Sequence, residues 1–448
     1  DSKNVITLLL ITYGERENMA NKYVFFVNGI SAIGGAELYT LRKTKHLTEI
    51  GFEVYIVAAR ASNIKFEEFF NFTFREFCEF RYVPNFFSEK LKNEVIDEIL
   101  RFIDYNENDE ILIESHEGAP ALWAELFAER VRRVNLVYCI SPVKLDNNIL
   151  REFYYSKIRQ GELAGCEKYY IPGTFGSEFK DFYFNIPYYF YEIDGANKTK
   201  ITECSSKEVC TGCVSVLTIS RIEKNYIKPS IIDLANFCRE NPNVTIKYKL
   251  VLSKDRGLEF MKLKSLINKN KVPNFEVILH GPVRKMTSEI FEGYDLFIGM
   301  GTSVLNAVSM GIPAVVVDYR TNKYYGFFGY DYFAFGAGQK VAENELGIFL
   351  NKVLRGETDL CSVKKKALEY LLENYDIEKI DKAFIEYQYN LNKGTSKTYF
   401  KTDKVFGNKR EVVRFILLKV LGPSAADKII HDIVRIKRLL FDNPYVFK

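Results

Sequence analysis

Long apolar runs are missing from this 448-residue chain. The longest near its start, residues 5–12 (VITLLLIT), has eight residues, against about 20 for a helix that crosses a bilayer. It also lacks the basic lead-in and small-residue cleavage site of a secretory leader. The sequence therefore predicts a protein that neither spans a membrane nor is exported. Cysteine is scarce as well: eight residues spread from Cys78 to Cys361 without framework spacing, which excludes a disulfide scaffold. One cluster, Cys204, Cys210 and Cys213, contains CTGC at 210–213, half a zinc site or a redox pair. No second Cys or His pair follows at ligand spacing, so reduced thiols in a linker, and a reducing compartment, are expected. Low-complexity runs and repeats of solenoid length are absent. Charge of one sign is not in excess either: 62 Lys and Arg against 58 Asp and Glu leave +4, which gives no case for nucleic acid. The imbalance sits at one end, where 12 Lys and Arg face 5 Asp and Glu from Gly394 onward.

What is present is the composition of a globular protein, 47% hydrophobic and 27% charged, at a length that suggests two or three domains. Residues 23–27 (YVFFV) read as a buried strand, 28–35 as a glycine loop, 36–50 as a helix closed by Gly51, and 53–58 as a second strand. A helix at 88–103, a strand at 111–113, a helix at 120–131 and a strand at 135–140 continue the alternation. Residues 192–212 then turn polar without periodicity, as a linker would. Beyond it strands are expected at 214–219, 246–252, 276–279, 296–298 and 314–317, and helices at 229–238, 258–268, 285–291 and 303–310. The remainder reads as helical, at 342–354, 363–372 and 377–387. Strands alternating with helices imply parallel βαβ units, so the expected fold is α/β with two doubly wound halves, residues 1–205 and 206–375, followed by helices over 376–448.

Open parallel sheets bind ligands beyond the carboxyl ends of their strands, and four loops there carry chemistry. Gly34 and Gly35 precede the first helix, as a tight turn or as a loop whose backbone a ligand approaches. The spacing does not match G-x-G-x-x-G, and Ala58-Ala59-Arg60 ends the next strand without an acidic residue, which disfavours a nicotinamide or flavin cofactor. In the second half, Gly299-Met300-Gly301-Thr302-Ser303 runs into a helix. Its glycines admit a phosphate, Thr302 and Ser303 supply hydroxyls and a helix N-cap, and the helix dipole points at the same place. Arg221 and Lys224, with Lys228 just before Pro229, are cations able to reach that ligand. Ser115-His116-Glu117-Gly118 follows the strand at 111–113, with His116 one of only four histidines.

These residues resemble a known family. Gly34-Gly35-Ala36-Glu37 with its helix, the Arg221/Lys224 loop, and above all residues 294–313 (YDLFIGMGTSVLNAVSMGIP) look like the GT-B glycosyltransferases, specifically the large retaining group 1 type, family 4-like, over roughly residues 23–390. The resemblance implies two Rossmann-like domains facing a cleft. The first would be the acceptor side, with Gly34, Gly35, His116 and Glu117, and His116 would be the residue beside the reacting groups. The second would bind a UDP or GDP sugar. There Arg221 and Lys224, or Lys228 if the loop carries a two-residue insertion, neutralise the diphosphate; Gly301, Thr302 and Ser303 hold phosphate and sugar; Val283 lies near the base; and Asn306 meets the ribose. The absence of any Asp-x-Asp fits metal-independent transfer by front-face substitution, in which the leaving phosphate helps deprotonate the acceptor. No resident cofactor is then needed. Two glutamates eight positions apart, common in the family, are here Ile298 and Asn306.

The resemblance thus implies transfer of a sugar from a nucleotide-diphosphate donor to a saccharide or lipid-linked acceptor, in the cytoplasm, during assembly of a bacterial surface polysaccharide or glycolipid. The basic, apolar segment 409–441 would suit an anionic inner-membrane surface or pack on the body of the protein. A non-catalytic nucleotide- or glycan-binding assembly partner and a sugar-nucleotide epimerase are the alternatives.

Overall fold

The computed structural model describes residues 21–401 apart from 33, 142, 144, 146, 189–211, 284–285, 319–322, 337–345, 356 and 395–396, together with 417, 420–422, 425 and 429. Most of the basic segment 409–441, nearly all of the polar stretch 192–212, and the cysteines at 204 and 210 lie outside these.

Among the described residues the first sheet holds β1 (Asn21–Val27), β2 (Glu53–Ala58), β3 (Thr73–Glu76), β4 (Glu110–His116), β5 (Asn135–Cys139) and β6 (Leu163–Gly165), in the order β3-β2-β1-β4-β5-β6. β1 runs parallel to both β2 and β4, and β2 and β4 run parallel to β3 and β5. Its helices are α1 (Gly35–Glu49), α2 (Glu89–Phe102), α3 (Ala119–Val131) and α4 (Asn148–Gln160). Both faces of β1 are buried: Tyr23, Phe25 and Val27 pack with Leu41 and Leu47 of α1, and Val24 and Phe26 pack with Val95, Ile99, Trp123 and Phe127 of α2 and α3. A continuous apolar run such as YVFFV is what a strand covered on both sides requires.

The short helix α5 (Tyr170–Phe175) leads toward the second sheet, formed by β7 (Cys213–Ser220), β8 (Thr245–Leu252), β9 (Phe275–His280), β10 (Leu296–Gly299), β11 (Ala314–Val317) and β12 (Tyr324–Phe327) in the order β12-β11-β10-β7-β8-β9. Around it lie α6 (Ile227–Glu240), α7 (Leu258–Lys269), α8 (Thr302–Ser309), α9 (Leu346–Leu354) and α10 (Leu360–Asn374), followed by α11 (Ile377–Lys393). In both sheets the chain winds outward from a central strand, returns, and winds to the other side. The order therefore reverses between β1 and β4 and again between β7 and β10.

Three expectations change. The helix expected over 285–291 is only a single 3₁₀ turn, Ser288–Ile290, among the described residues. The second sheet is not wholly parallel, because β12 pairs antiparallel with β11. The chain divides into compact units after Ala164 and after Ala383, the first unit taking 1–164 with 384 onward, where composition placed boundaries at 205 and 375. Residues 165–188 join the second unit through specific bonds. Tyr188 N–H donates to the Tyr375 carbonyl at 2.8 Å, its hydroxyl meets Ser309 Oγ at 2.8 Å, and Asn185 donates to the Asn374 carbonyl at 2.9 Å.

Candidate functional site

Three helix starts away from the two reversals are closed by a side chain, Ser88 accepting from Leu91, Asn147 from Leu150, and Asp359 from Cys361 and Ser362, whereas Gly257 before α7 makes no such bond. At the reversals the N-caps are Gly34 for α1, Gly118 for α3 and Gly301 for α8, and none makes a side-chain cap bond. Helix starts without a side-chain cap at the crevice of a doubly wound sheet are where an open α/β fold takes ligands.

In the second unit this site is built by the ends of β7 and β10. Gly301 has φ +72° and ψ −157°, a backbone region essentially reserved for glycine, and no atom lies within 4 Å of where its Cβ would stand. Its N–H donates to the Phe335 carbonyl at 2.7 Å, and its own carbonyl accepts from Val304 at 3.0 Å. The amides of Thr302 and Ser303 have no acceptor among the described residues. The Ser303 hydroxyl donates to the Met300 carbonyl at 3.0 Å, so it braces the turn and is not the N-cap expected of it. Lys224 reaches the same turn, its Nζ 3.7 Å from Met300 Sδ. Its pKa is pushed down by burial and by the neighbouring Arg221 charge, whereas the intervening Glu223 pairs with Lys254. Lys224, under the influence of the Arg221 charge, thus lies against an unfilled helix N-terminus, an arrangement that favours an anion.

The other expected donor residues are placed as follows. Arg221 is exposed, and its charge is felt by Lys224. Lys228 is exposed and lies 3.7 Å from Glu259 on α7. Val283 follows β9, an edge strand separated from β7 by β8. Asn306 is half-buried one turn into α8. Ile298 is fully buried in β10, and its carbonyl accepts from Thr218 Oγ1 at 2.6 Å.

In the first unit the ends of β1 and β4 bring Gly34, Gly35, His116 and Glu117 to one reversal, together with Asn28, which the sequence reading passed over. Asn28 donates to the Glu117 carbonyl at 2.7 Å, and the Glu117 carboxylate accepts from Ile140 N–H at 3.1 Å. The Glu37 carboxylate folds against Gly34, so the start of α1 already holds an anion of its own. This end suits a neutral, hydroxyl-bearing ligand. His116 is only 3% exposed; its ring lies 5.6 Å from that of Tyr39, and Nε2 faces Glu114 Oε1 at 3.4 Å. Beneath the reversal lies a charged cluster that the sequence reading missed. Glu114, fully buried, accepts from Tyr23, from Tyr39 at 2.8 Å and from Lys43 at 2.7 Å. Burial alone would raise its carboxyl, but Lys43 and His116 outweigh it and hold the group at about 2. The signal was legible: an acidic residue inside the strand ILIESH needs a buried partner.

No protein-family model and no curated protein matches the chain. Solved structures do. A glycosyltransferase from Rickettsia africae ESF-5 superposes with a TM-score of 0.56 at 14% identity, over 84% of this chain and all of that one. The N-terminal domain of Candida albicans trehalose-6-phosphate phosphatase gives 0.55 at 12%, over 84% and 98%. An α,α-trehalose 6-phosphate synthase from Burkholderia multivorans gives 0.52 at 11%, over 84% and 97%. At such identities the likeness establishes the fold, and the two six-stranded α/β units, with their C-terminal helices, have the GT-B fold of these proteins.

Proposed function

We propose that the chain is a glycosyltransferase that moves a sugar from a nucleoside-diphosphate donor, of UDP or GDP type, to a saccharide or lipid-linked saccharide. The observation that carries this reading is the unfilled N-terminus of α8 with Lys224 against it. The amides of Thr302 and Ser303, with Lys224 and Arg221, hold the diphosphate, and Asn306 meets the ribose. The same groups stabilise the charge that develops on the leaving phosphate, which is how a positioning enzyme lowers a barrier without a general base. Asn28, Glu37 and Glu117 offer oxygen acceptors for the acceptor's hydroxyls, and His116 supports this loop from below through Glu114. No resident cofactor enters the scheme. A place in bacterial surface polysaccharide or glycolipid assembly, at the cytoplasmic face of the inner membrane, agrees with the basic composition after Gly394.

One observation favours a second reading. Ile298, in place of a carboxylate, is sealed inside the sheet, so no side chain at that position faces the donor sugar, as suits a binding protein without turnover. Melting temperature with UDP and GDP, and turnover of a panel of their sugars, separate the two. Turnover establishes the transferase, a raised melting temperature without turnover establishes the binder, and no shift with either nucleotide removes both. Lys224→Met is expected to weaken UDP or GDP binding by about 1.5–3 kcal/mol, the range for a hydrogen bond to a charged group, read by calorimetry.

A further inference from the structure

We infer that Glu167 is a positioning residue for the anion-binding turn before α8, acting through the backbone of Phe335 and not by touching the ligand; this rests on the reading of that turn given above. On its open side the turn has no neighbour within 4 Å of the Gly301 Cβ position. Its conformation is therefore set from the opposite side, where Gly301 N–H donates to the Phe335 carbonyl at 2.7 Å. Phe335 belongs to a short strip beyond β12 that has no regular structure of its own. Among the described residues two side chains hydrogen-bond to the strip. The Tyr370 hydroxyl donates to the Phe333 carbonyl at 3.1 Å, and Glu167 Oε2 accepts Phe335 N–H at 2.7 Å. Phe335 is thus fixed at its N–H by Glu167 and fixes Gly301 with its C=O.

Glu167 is 2% exposed. A carboxylate so buried is costly to desolvate unless hydrogen-bonded, and a hydrocarbon would pack there at less cost. What the carboxylate supplies is an acceptor for a backbone donor that β12 does not satisfy. The strip also abuts the second half of the site. A Cβ on Gly336 would stand 3.4 Å from Met300 Cε, and Met300 Sδ is the atom that Lys224 approaches. A strip released at Phe335 would displace the amides and the cation together.

Three variants test this: Glu167→Gln, which keeps an oxygen acceptor, Glu167→Asp, which withdraws it by one methylene, and Glu167→Ala, which removes it. Hydrogen exchange at the Gly301 amide, followed by mass spectrometry on a peptide covering it, is read without ligand, and calorimetry with UDP and GDP is read beside it. Expected are exchange about tenfold faster and nucleotide affinity about tenfold weaker in the Ala variant, a smaller change of the same sign in the Asp variant, and near-native values in the Gln variant. Native exchange and affinity in folded Ala and Asp variants would overturn the proposal, as would equal losses in Gln and Ala, since that pattern marks a general packing role. Should the Ala variant not fold, the Asp and Gln pair decides. If the native protein binds neither nucleotide, the function proposed above falls, while exchange at Gly301 still decides the role of Glu167.

Discussion

A carboxylate cut off from water stays ionised only when its surroundings replace the lost hydration, and Glu114 shows what that takes. The Lys43 ammonium lies at 2.7 Å, two phenols donate, and Lys43 is itself roofed by the Phe384 ring at 3.4 Å. Because the folded pKa, about 2, lies below the ordinary 4.5, the stabilisation is complete above pH 4.5 and is lost as the pH falls toward 2. Over that span the linkage amounts to about 3 kcal/mol. Glu114→Gln takes from the buried Lys43 the carboxylate at 2.7 Å, and is expected to cost about 3–5 kcal/mol near neutrality. The gap between native and variant unfolding midpoints should be widest at pH 6 and close below pH 4.5. A gap independent of pH would show that the pair carries no such charge. Adding Lys43→Met to Glu114→Gln should recover part of the loss, because a buried pair is easier to replace than to halve.

At the scale of elements, α8 and its turn trade stability for an open end. Gly301→Ala places a side chain where space is free but the backbone is not, so the expected cost is conformational, about 1–3 kcal/mol in the second unit, with UDP or GDP affinity falling as the turn relaxes; thermal unfolding and calorimetry read both. Unchanged stability would mean that the turn adopts an ordinary conformation. Elements of this kind were legible because strands buried on both faces are continuous apolar runs and the glycines after β1 and β10 punctuate them. What escaped has physical reasons. β3 (TFRE) is a short edge strand with little apolar content. α4 is amphipathic but opens on Asn147 after a stretch without pattern. β12 pairs antiparallel with β11, and local sequence does not announce strand direction. The site was legible where it depends on glycine and charge, as at Gly301 and Lys224. It was not where it depends on long-range partners such as Glu167 for Phe335, or on a hydroxyl's choice of acceptor, as with Ser303.

For the molecule as a whole, the two units are assembled differently, and their independence should differ accordingly. The second is one continuous piece, 165–383, with its own core from Val214 to Val363. The first is closed by chain that arrives last. Gln388 donates to the Ile113 carbonyl at 2.9 Å, Asn392 accepts from Val134 N–H at 2.8 Å, Tyr387 donates to the Gly161 carbonyl at 2.7 Å, and Phe400 N–H reaches Glu125 at 2.9 Å. Phe384 covers Lys43. Glu125 in turn shares Lys157, 1% exposed, with Glu162, so losing the final segment uncovers two buried charge clusters at once. Residues 165–383 are therefore expected to fold alone with a cooperative melt and to retain the diphosphate site, binding UDP or GDP within about threefold of the whole protein. Residues 1–164 alone should be unfolded or aggregated, and joining 384–401 to them through a flexible linker should restore a cooperative transition. Circular dichroism and calorimetry on the three fragments decide this. A well-folded 1–164 fragment would show that the late segment covers the first unit without helping to hold it together, because the Lys43–Glu114 and Glu125–Lys157–Glu162 clusters would then tolerate the water its departure admits.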